Sequence, residues 1–390
     1  MRIAQYNDSY YPTIDGVVVT VRNYADWLHK YKHNCYIVTV DAGDYENKEP
    51  YPVFRYKSIP TILRKEYRIG LTRLDFKTSK MLEERPVDIV HTHSPFGMGQ
   101  KGLRYAKKHN IPIISTFHTK FYDDFLEETH SKTIAKIMVK RIVNYYNQVD
   151  YVWTLNEATA NTLREYGYEG KIEIVANGFD DTFLDFPKSE LVDIRSKYEI
   201  PDDFDIFNFV GRLSKTKNIS TILETLALYK KEHSNFVLFI TGEGDEEKFF
   251  KDLTKKLGLE NNVIFTGKVA NRGQLISIYT ASDIFLFPSV YDNAPLVVRE
   301  AAACETPCIT IKDSGASQNI IDKKNGFICE NTPESVCETI KLALADKKQL
   351  KIIGEKAKTT IAKPWSVILK DVEKRYEQII KEHKEKIMTK

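Results

Sequence analysis

A strand, a short loop and a helix follow one another over residues 283–308, and this unit constrains the fold more than any other stretch of the chain. Residues 284–287 predict a buried strand that ends at Pro288, and a helix is expected to begin near Pro295 because the first helical turn tolerates proline. Such a unit directs unpaired backbone N–H groups toward whatever lies above the sheet edge. An ordinary βα unit of a parallel sheet has the same pattern, so the stretch predicts α/β structure and leaves a binding role open.

Two acidic residues lie in this unit, Asp292 on the loop and Glu300 on the helix. The pattern resembles the signature of the family 4 retaining glycosyltransferases, in which an acidic residue, seven intervening residues and a glutamate grip a nucleotide sugar. The family usually has Glu at the first position and a Gly-Phe-Gly-like turn after it, so this chain departs from the pattern at both places. The resemblance implies a donor site made by Asp292, Asn293, Ala294, Pro295, Leu296 and Glu300, with Asp292 also in a catalytic role.

Size and composition set the class of protein. The chain has 390 residues, enough for two α/β domains, and a formal net charge of only +3, so no nucleic-acid partner is expected. No apolar run approaches the roughly 20 residues that span a bilayer, and the N-terminus enters a strand without a signal-peptide pattern. The five scattered cysteines favour reduced thiols and a cytoplasmic location.

A loop and a helix follow the first strand, which is expected at residues 2–6, and Gly16 stands where the loop becomes the helix. Glycine lets a backbone approach a ligand closely, and a helix N-terminus favours an anion. Many βα loops carry a glycine at this place without binding anything. In the family that the chain resembles, the equivalent glycine borders the donor diphosphate and the acceptor.

Histidines end two predicted strands of the N-terminal half. The strand at residues 88–92 runs into His93, and the strand at residues 111–116 runs into His118. The carboxyl ends of parallel strands are where open α/β sheets bind ligands, although a single histidine is usually structural. The family has a histidine at the place of His118 that contacts the transferred sugar, and that role is carried over to His118 as a catalytic residue.

Basic residues concentrate in the same half, with 18 Lys/Arg against 9 Asp/Glu between Tyr51 and Arg141. Residues 57–80 predict either a pair of surface helices over the sheet edge or an acceptor- or membrane-contacting surface. Residues 131–147 predict a basic amphipathic helix, which either packs on its domain with a solvated lysine face or docks on anionic lipid. In that helix Lys132, Lys136 and Lys140 are expected on one side, and Ile134, Met138 and Ile142 on another.

The C-terminal half repeats the strand–loop–helix pattern. Arg212 and Lys217 follow a strand at residues 207–210, and two cations beside a helix N-terminus suit a diphosphate. Their spacing resembles the diphosphate clamp of the family, which implies catalytic and donor-binding roles for both. The resemblance also implies nucleotide contacts from Gly242, in a glycine turn, and from the backbone around Val269.

The resemblance covers essentially the whole chain and implies the GT-B fold: two Rossmann-like, doubly wound parallel-sheet α/β domains facing across a cleft. Residues 1–182 are expected to form the acceptor-binding domain and residues 190–365 the nucleotide-sugar domain, with a helix at 366–390 crossing back to the first domain. Arg212 and Lys217 would stabilise the departing diphosphate, so neither a cofactor nor a metal ion is expected.

The implied activity is retaining transfer of a hexose such as glucose from a UDP-sugar. Residues 88–125 are similar to the diacylglycerol glucosyltransferase branch of the family, which implies a membrane lipid acceptor and a peripheral place on the inner face of the membrane. The alternatives are a non-lipid glycan acceptor, a degenerate nucleotide-sugar-binding protein, and an epimerase of the same fold.

Overall fold

The computed structural model describes residues 1–43, 45–61 and 68–389, and it divides into two compact units. Residues Met1–Asn177 form the first unit together with Trp365–Lys390, and Gly178–Pro364 form the second. The chain therefore leaves the first unit once and returns to it with its last helix. The domain limits expected from the sequence are residues 182, 190 and 365.

The first unit contains a seven-stranded sheet within the described residues, in the order β3-β2-β1-β6-β7-β8-β9, and all neighbouring strands are parallel. Two further strands, β4 and β5, pair with each other in antiparallel orientation. The strands are β1 (Arg2–Tyr6), β2 (Asn34–Val40), β3 (Val53–Tyr56), β4 (Ser58–Pro60), β5 (Arg68–Gly70), β6 (Ile89–Thr92), β7 (Ile113–Phe117), β8 (Tyr151–Thr154) and β9 (Ile172–Ile174). The helices are α1 (Gly16–Lys30), α2 (Phe76–Glu83), α3 (Gly97–His109), α4 (Phe121–Thr129), α5 (Lys132–Tyr146) and α6 (Glu157–Glu165).

The second unit has a six-stranded parallel sheet within the described residues, in the order β12-β11-β10-β13-β14-β15. Its helices are α7 (Thr182–Asp185), α8 (Ile194–Lys197), α9 (Ile219–Tyr229), α10 (Glu247–Lys256), α11 (Arg272–Ala281), α12 (Leu296–Ala303), α13 (Pro333–Leu344) and α14 (Lys347–Thr360). Its strands are β10 (Asp205–Val210), β11 (Phe236–Thr241), β12 (Val263–Gly267), β13 (Ile284–Phe287), β14 (Cys308–Ile311) and β15 (Phe327–Cys329). Both sheets reverse their strand order at a central pair, so the predicted doubly wound α/β class is confirmed for each unit.

The last helix, α15 (Trp365–Met388), belongs to the first unit. Trp365 is buried against Tyr24 of α1, with ring centroids 6.0 Å apart. Arg375 donates two hydrogen bonds to the carboxylate of Glu173, at 2.6 and 2.9 Å. This bidentate pair is partly buried, and such pairs fix orientation as well as adding energy.

The basic segments of the first unit differ from their predicted form. Residues 57–80 do not form a pair of helices in the part that the structure describes: β4 and β5 form a short antiparallel pair and only α2 is helical, while residues 62–67 lie outside the described residues. On α5 the three lysines are exposed, but the predicted apolar side is wrong, because Ile142 is buried whereas Ile134 is exposed. The buried positions of α5 are Ala135, Val139, Ile142, Val143, Tyr145 and Tyr146.

None of the helices in the described part of the chain is both long enough and apolar enough to cross a membrane.

Candidate functional site

The centre of the second sheet brings the candidate cations and acids together. Strand order reverses between β10 and β13, and an open α/β sheet forms its ligand crevice at the carboxyl ends of such a pair. The loop after β10 carries Arg212 and Lys217, and the loop after β13 carries Asp292. The predicted donor residues of these two loops therefore share one edge of the sheet.

Lys217 and Asp292 form an ion pair across this reversal point. The Lys217 Nζ lies 2.5 Å from Asp292 Oδ1, and each side chain is 19% exposed. Ser289 Oγ donates a hydrogen bond of 2.6 Å to the other carboxylate oxygen, Oδ2. Both oxygens of Asp292 are thus engaged within the protein, which orients the carboxylate and holds the ammonium beside the end of β13.

Arg212 is the more exposed cation of the loop. Its side chain is 56% exposed, and Nη2 lies 3.0 Å from Oδ2 of the almost fully exposed Asp245. Ion pairs of this kind contribute only about 0–1 kcal/mol to stability, so exchange of Asp245 for another anion costs little free energy. A guanidinium can bind a diphosphate through two parallel hydrogen bonds.

Asn218 ends the loop in a left-handed conformation, with φ +58°. Asparagine tolerates this region better than other non-glycine residues. Its Nδ2 donates to the Pro288 carbonyl oxygen at 3.2 Å, which ties the loop after β10 to the end of β13.

Gly242 brings the loop after β11 against the loop after β10. Its φ is +141°, and a Cβ at this position would lie 1.9 Å from the carbonyl oxygen of Gly211, so no larger residue fits without movement of the backbone. The Gly242 amide donates to the Gly267 carbonyl at 2.9 Å. Val269 lies two residues after Gly267 and packs its half-buried side chain against the core.

The loop that leads into α12 is supported from beneath by Gly315. A Cβ there would lie 2.2 Å from the carbonyl oxygen of Asp292 and 2.4 Å from that of Asn293. The helix itself begins at Leu296, with Pro295 in extended conformation as its N-cap. The four predicted donor residues between Asp292 and the helix body are all half-buried, namely Asn293, Ala294, Pro295 and Leu296.

Glu300 is buried one turn further along α12 than Leu296. Tyr279 donates a hydrogen bond of 3.3 Å to its Oε2. Burial raises the pKa of the Glu300 carboxyl, and the positive charge of Arg272 partly offsets that rise. A shifted carboxyl beside a ligand crevice is a candidate functional group, although buried structural acids shift in the same direction.

Ser289, Tyr279 and Gly315 hold the candidate residues in place and were not among the predicted site residues. Ser289 stands three residues before Asp292, a spacing that permits a side-chain hydrogen bond and was a usable signal. Tyr279 and Gly315 carried no such signal, because Glu300 lies 21 residues after Tyr279 and the loop that Gly315 contacts lies more than 20 residues before it.

The first unit carries the other two candidates, Gly16 and His118. Gly16 opens α1 directly after the N-cap Asp15, whose Oδ1 accepts the Val18 amide at 2.8 Å. A Cβ at Gly16 would meet nothing within 4 Å. His118 follows β7 and is buried, and burial lowers the pKa of its imidazole to about 3, so this histidine is neutral at physiological pH.

Within the described residues, no group of three or more His, Cys, Asp or Glu side chains is arranged to hold a metal ion. The chemistry that the second unit offers is anion stabilisation by two cations and by the amides at the start of α12.

Two family models match the chain. The model described as Glycosyltransferase Family 4 matches residues 14–183, and the model described as Glycosyl transferases group 1 matches residues 192–360. Together they cover most of both units.

Two curated relatives carry the name alpha-monoglucosyldiacylglycerol synthase. The protein from Streptococcus pneumoniae is 28% identical over 332 residues, which cover 84% of this chain and 75% of the relative. The protein from Acholeplasma laidlawii is 25% identical over 405 residues and covers 99% of both chains. A GDP-mannose-dependent alpha-mannosyltransferase of Corynebacterium glutamicum is also similar, at 24% identity over 97% of this chain and 89% of the relative.

Solved structures agree with the predicted fold. Sucrose-phosphate synthase from Thermosynechococcus elongatus and HepE of Anabaena, solved with UDP, each superpose with a TM-score of 0.78 at 18% identity. Both comparisons cover 97% of this chain, with 99% of the synthase and 100% of HepE. The predicted GT-B fold is confirmed by these matches together with the two family models.

Proposed function

Because the chain belongs to the family 4 glycosyltransferases and has their GT-B fold, we propose that it transfers a hexose, with retention of anomeric configuration, from a nucleoside diphosphate sugar to a membrane lipid. The proposed donor site is supported by one observation: Lys217, Asp292 and Arg212 lie together where the strand order of the second sheet reverses. The acceptor half rests on the surface of the first unit.

The proposed reaction breaks the bond between the anomeric carbon and the diphosphate oxygen and forms a bond to the acceptor hydroxyl on the same face. The acceptor proton passes to an oxygen of the departing diphosphate. Arg212 and Lys217 stabilise the charge that develops on that leaving group, together with the amides at the start of α12. With two cations in this role, we propose that the enzyme needs neither a metal ion nor a cofactor.

We propose UDP-glucose as the donor. The glucose part of this proposal is supported by the names of two relatives, alpha-monoglucosyldiacylglycerol synthases at 25–28% identity. A GDP-mannose-dependent relative matches at 24% identity, so a panel of nucleotide sugars is the informative assay.

The support for a lipid acceptor is the outer face of α5. Lys136 and Lys140 are exposed there beside Ile134 and Ile137, whose side chains are 47% and 51% exposed. Cations interleaved with bulky apolar side chains are typical of a helix that lies in a lipid headgroup layer. Each surface cation near an anionic bilayer contributes about 1 kcal/mol.

A second exposed apolar group lies around the start of α2 in the same unit. Leu74 and Phe76 are 70% and 78% exposed, well above what large apolar residues usually show. Single exposed apolar residues are ordinary on soluble proteins, but these two belong to the predicted acceptor-side segment at residues 57–80. We therefore propose peripheral binding at the cytoplasmic face of the membrane through residues 57–80 and 131–147.

Replacement of the three lysines of α5 by glutamate tests the acceptor proposal. The variant Lys132→Glu/Lys136→Glu/Lys140→Glu should lose sedimentation with vesicles of anionic lipid and should lose transfer to diacylglycerol in those vesicles. Wild-type binding should weaken with salt, because surface attraction is screened beyond roughly 8–10 Å. The matched control is Lys348→Glu/Lys351→Glu/Lys356→Glu, which makes the same charge change on exposed positions of α14 in the second unit.

Three other outcomes contradict parts of the proposal. Efficient transfer to a water-soluble sugar without any vesicle binding would assign a non-lipid glycan acceptor. Nucleotide binding without any sugar transfer would identify the chain as a nucleotide-sugar-binding protein. This alternative is favoured by the hydrogen bonds that both Asp292 carboxylate oxygens already make within the protein. A changed sugar in the absence of acceptor would assign an epimerase.

A further inference from the structure

Ser289 fixes the carboxylate of Asp292 beside the ammonium group of Lys217. Its side chain is fully buried, and Oγ lies 2.6 Å from Asp292 Oδ2 but 3.3 Å from the carbonyl oxygen of Thr216. A hydroxyl has one hydrogen to donate, and the shorter distance to a charged acceptor assigns that hydrogen to the carboxylate. Movement of the carboxylate away from Lys217 would therefore break a buried, charge-assisted hydrogen bond.

The loops that carry the two charges are anchored to their surroundings. The loop after β13 packs so closely on Gly315 that a Cβ there would lie 2.2 Å from the Asp292 carbonyl oxygen. The loop after β10 is tied to the end of β13 by Asn218, whose Nδ2 donates to the Pro288 carbonyl oxygen at 3.2 Å. The separation of 2.5 Å between Lys217 Nζ and Asp292 Oδ1 is therefore held by both loops.

A phosphate that approaches Lys217 meets a repulsive charge as well as an attractive one. Each side chain of the pair is 19% exposed, and partly buried charges are screened much less by salt than exposed charges are. Because Ser289 holds the Asp292 carboxylate in place, its repulsion persists while the phosphate is bound. That repulsion increases with the negative charge on the phosphate.

The donor and the product of the proposed reaction differ in charge at this site. The diphosphate of a nucleotide sugar is esterified at both ends and carries two negative charges. The product has a free terminal phosphate, whose second pKa is about 6, so it carries about three negative charges at neutral pH once the acceptor proton has passed to solvent. A fixed carboxylate therefore removes the advantage that Lys217 alone would give to the more highly charged product.

We propose that the Asp292 carboxylate, held by Ser289 beside Lys217, weakens binding of the nucleoside diphosphate product more than binding of the donor. Asp292 is then a specificity-determining residue that promotes release of the product. This assignment rests on the proposed function, because it requires the diphosphate to bind at Lys217. It does not require any contact between Asp292 and the sugar.

Asp292→Asn tests the proposal because it removes the charge and keeps the shape of the side chain. The amide oxygen can still accept from Lys217, and the amide nitrogen can donate to Ser289 Oγ. Calorimetry on the full-length protein should measure two ligand series, namely uridine, UMP and UDP, and guanosine, GMP and GDP. In the series that the wild type binds, the variant should leave nucleoside affinity unchanged, tighten the monophosphate slightly and tighten the diphosphate about 10-fold.

The matched control is Asp202→Asn, which makes the same charge change at the opposite edge of the same sheet. Asp202 is exposed and precedes β10, whereas Lys217 follows the carboxyl end of that strand. A strand of this length spans roughly 20 Å, which is beyond the screening distance of about 8–10 Å at physiological ionic strength. The control should therefore keep every affinity within about twofold of the wild type.

The donor is measured separately, as UDP-glucose and GDP-mannose in the absence of any acceptor. Asp292→Asn should tighten binding of the donor by a smaller factor than binding of the corresponding nucleoside diphosphate, because the donor carries the smaller charge. In the transfer assay, the inhibition constant of the nucleoside diphosphate should fall by the same factor as its Kd.

Unchanged or weaker binding of the nucleoside diphosphate by Asp292→Asn would overturn the proposal. So would an equal gain for donor and product, or a gain for the nucleoside itself, which would assign the effect to altered packing. A wild type that binds no member of either series would overturn the proposed function together with this inference. A graded gain in a protein that transfers no sugar would leave the role of Asp292 in place and remove only the proposed transfer activity.

Discussion

Lys217 and Asp292 form a close ion pair, and this pairing affects how a donor diphosphate can bind. The two charges lie 2.5 Å apart in a setting that is four-fifths shielded from solvent. A diphosphate that enters the proposed site must share or displace the ammonium, which leaves Asp292 with Ser289 as its remaining partner. An aspartate, one methylene shorter than the glutamate usual in the family, is thereby held close to Lys217.

Removal of the Arg212 guanidinium should affect catalysis far more than folding. Turnover by Arg212→Ala should fall roughly 10²–10³-fold, the usual effect of losing one donor that stabilises transition-state charge. The free energy of unfolding should change by less than about 1 kcal/mol, because the pair with Asp245 is exposed. Steady-state kinetics and urea unfolding measure the two effects.

The matched control for Arg212 is Lys215→Ala. Lys215 belongs to the same loop and is 75% exposed, and its Nζ lies 3.6 Å from Oε1 of Glu246. The control should keep wild-type turnover. Equal activity of the two variants would remove Arg212 from the diphosphate site.

Glu300 should make the protein less stable as pH rises. Its folded-state pKa is raised above the ordinary value of 4.5. The native state therefore binds more protons than the unfolded state at pH values between 4.5 and the folded-state pKa. The free energy of unfolding therefore falls with pH across that window, by about 1.4 kcal/mol per pH unit. The amide of Glu300→Gln does not ionise, so urea unfolding of this variant relative to the wild type should show a stability difference that grows from pH 4.5 upward. Parallel pH profiles would contradict the assignment.

At the scale of elements, the loops at strand ends were predictable and the outer surfaces were not. The apolar run at residues 284–287, followed by Pro288 and Pro295, specifies strand, loop and helix locally. The side of α5 that is buried depends instead on what α5 packs against. Lysine, isoleucine and methionine at similar spacings allow more than one buried face, so Ile134 could not be assigned from periodicity alone.

Two glycines at strand–helix junctions should respond differently to alanine. Gly315→Ala should destabilise the protein and impair donor binding together, because the new Cβ would collide with the backbone of residues 292–293. Gly16→Ala should fold normally, since its Cβ meets nothing within 4 Å, yet it should lower transfer if substrate approaches this backbone. Thermal unfolding and transfer assays on both variants check this. Full activity in Gly16→Ala would exclude Gly16 from the site.

At the scale of the whole molecule, the order of strands follows from the sequence more readily than the final tertiary contacts do. Alternating strands and helices with right-handed crossovers leave few arrangements for a parallel sheet. The charged helix at the C-terminus was also predictable from its composition. The hydrogen bond between the Tyr376 hydroxyl of this helix and His91 in the core was not predictable. The two residues are 285 positions apart, and no local sequence pattern relates them. The ion pair of Lys217 with Asp292 could not be predicted for the same reason, because the two residues are 75 positions apart in the sequence.

The two units should divide the reaction between them, and two variants can separate their contributions. His118→Ala alters the first unit, so it should lower transfer while leaving the affinity for free nucleoside diphosphate within about twofold of wild type, as measured by calorimetry. Arg212→Ala alters the second unit and should weaken that affinity. In thermal unfolding, nucleoside diphosphate at 100 times its Kd should stabilise the wild type and His118→Ala by about 2.7 kcal/mol each, provided that concentration is set from each protein's own Kd. A large loss of nucleotide affinity in His118→Ala would mean that His118 supports the nucleotide site or the fold, and the proposed contact with the sugar would be wrong.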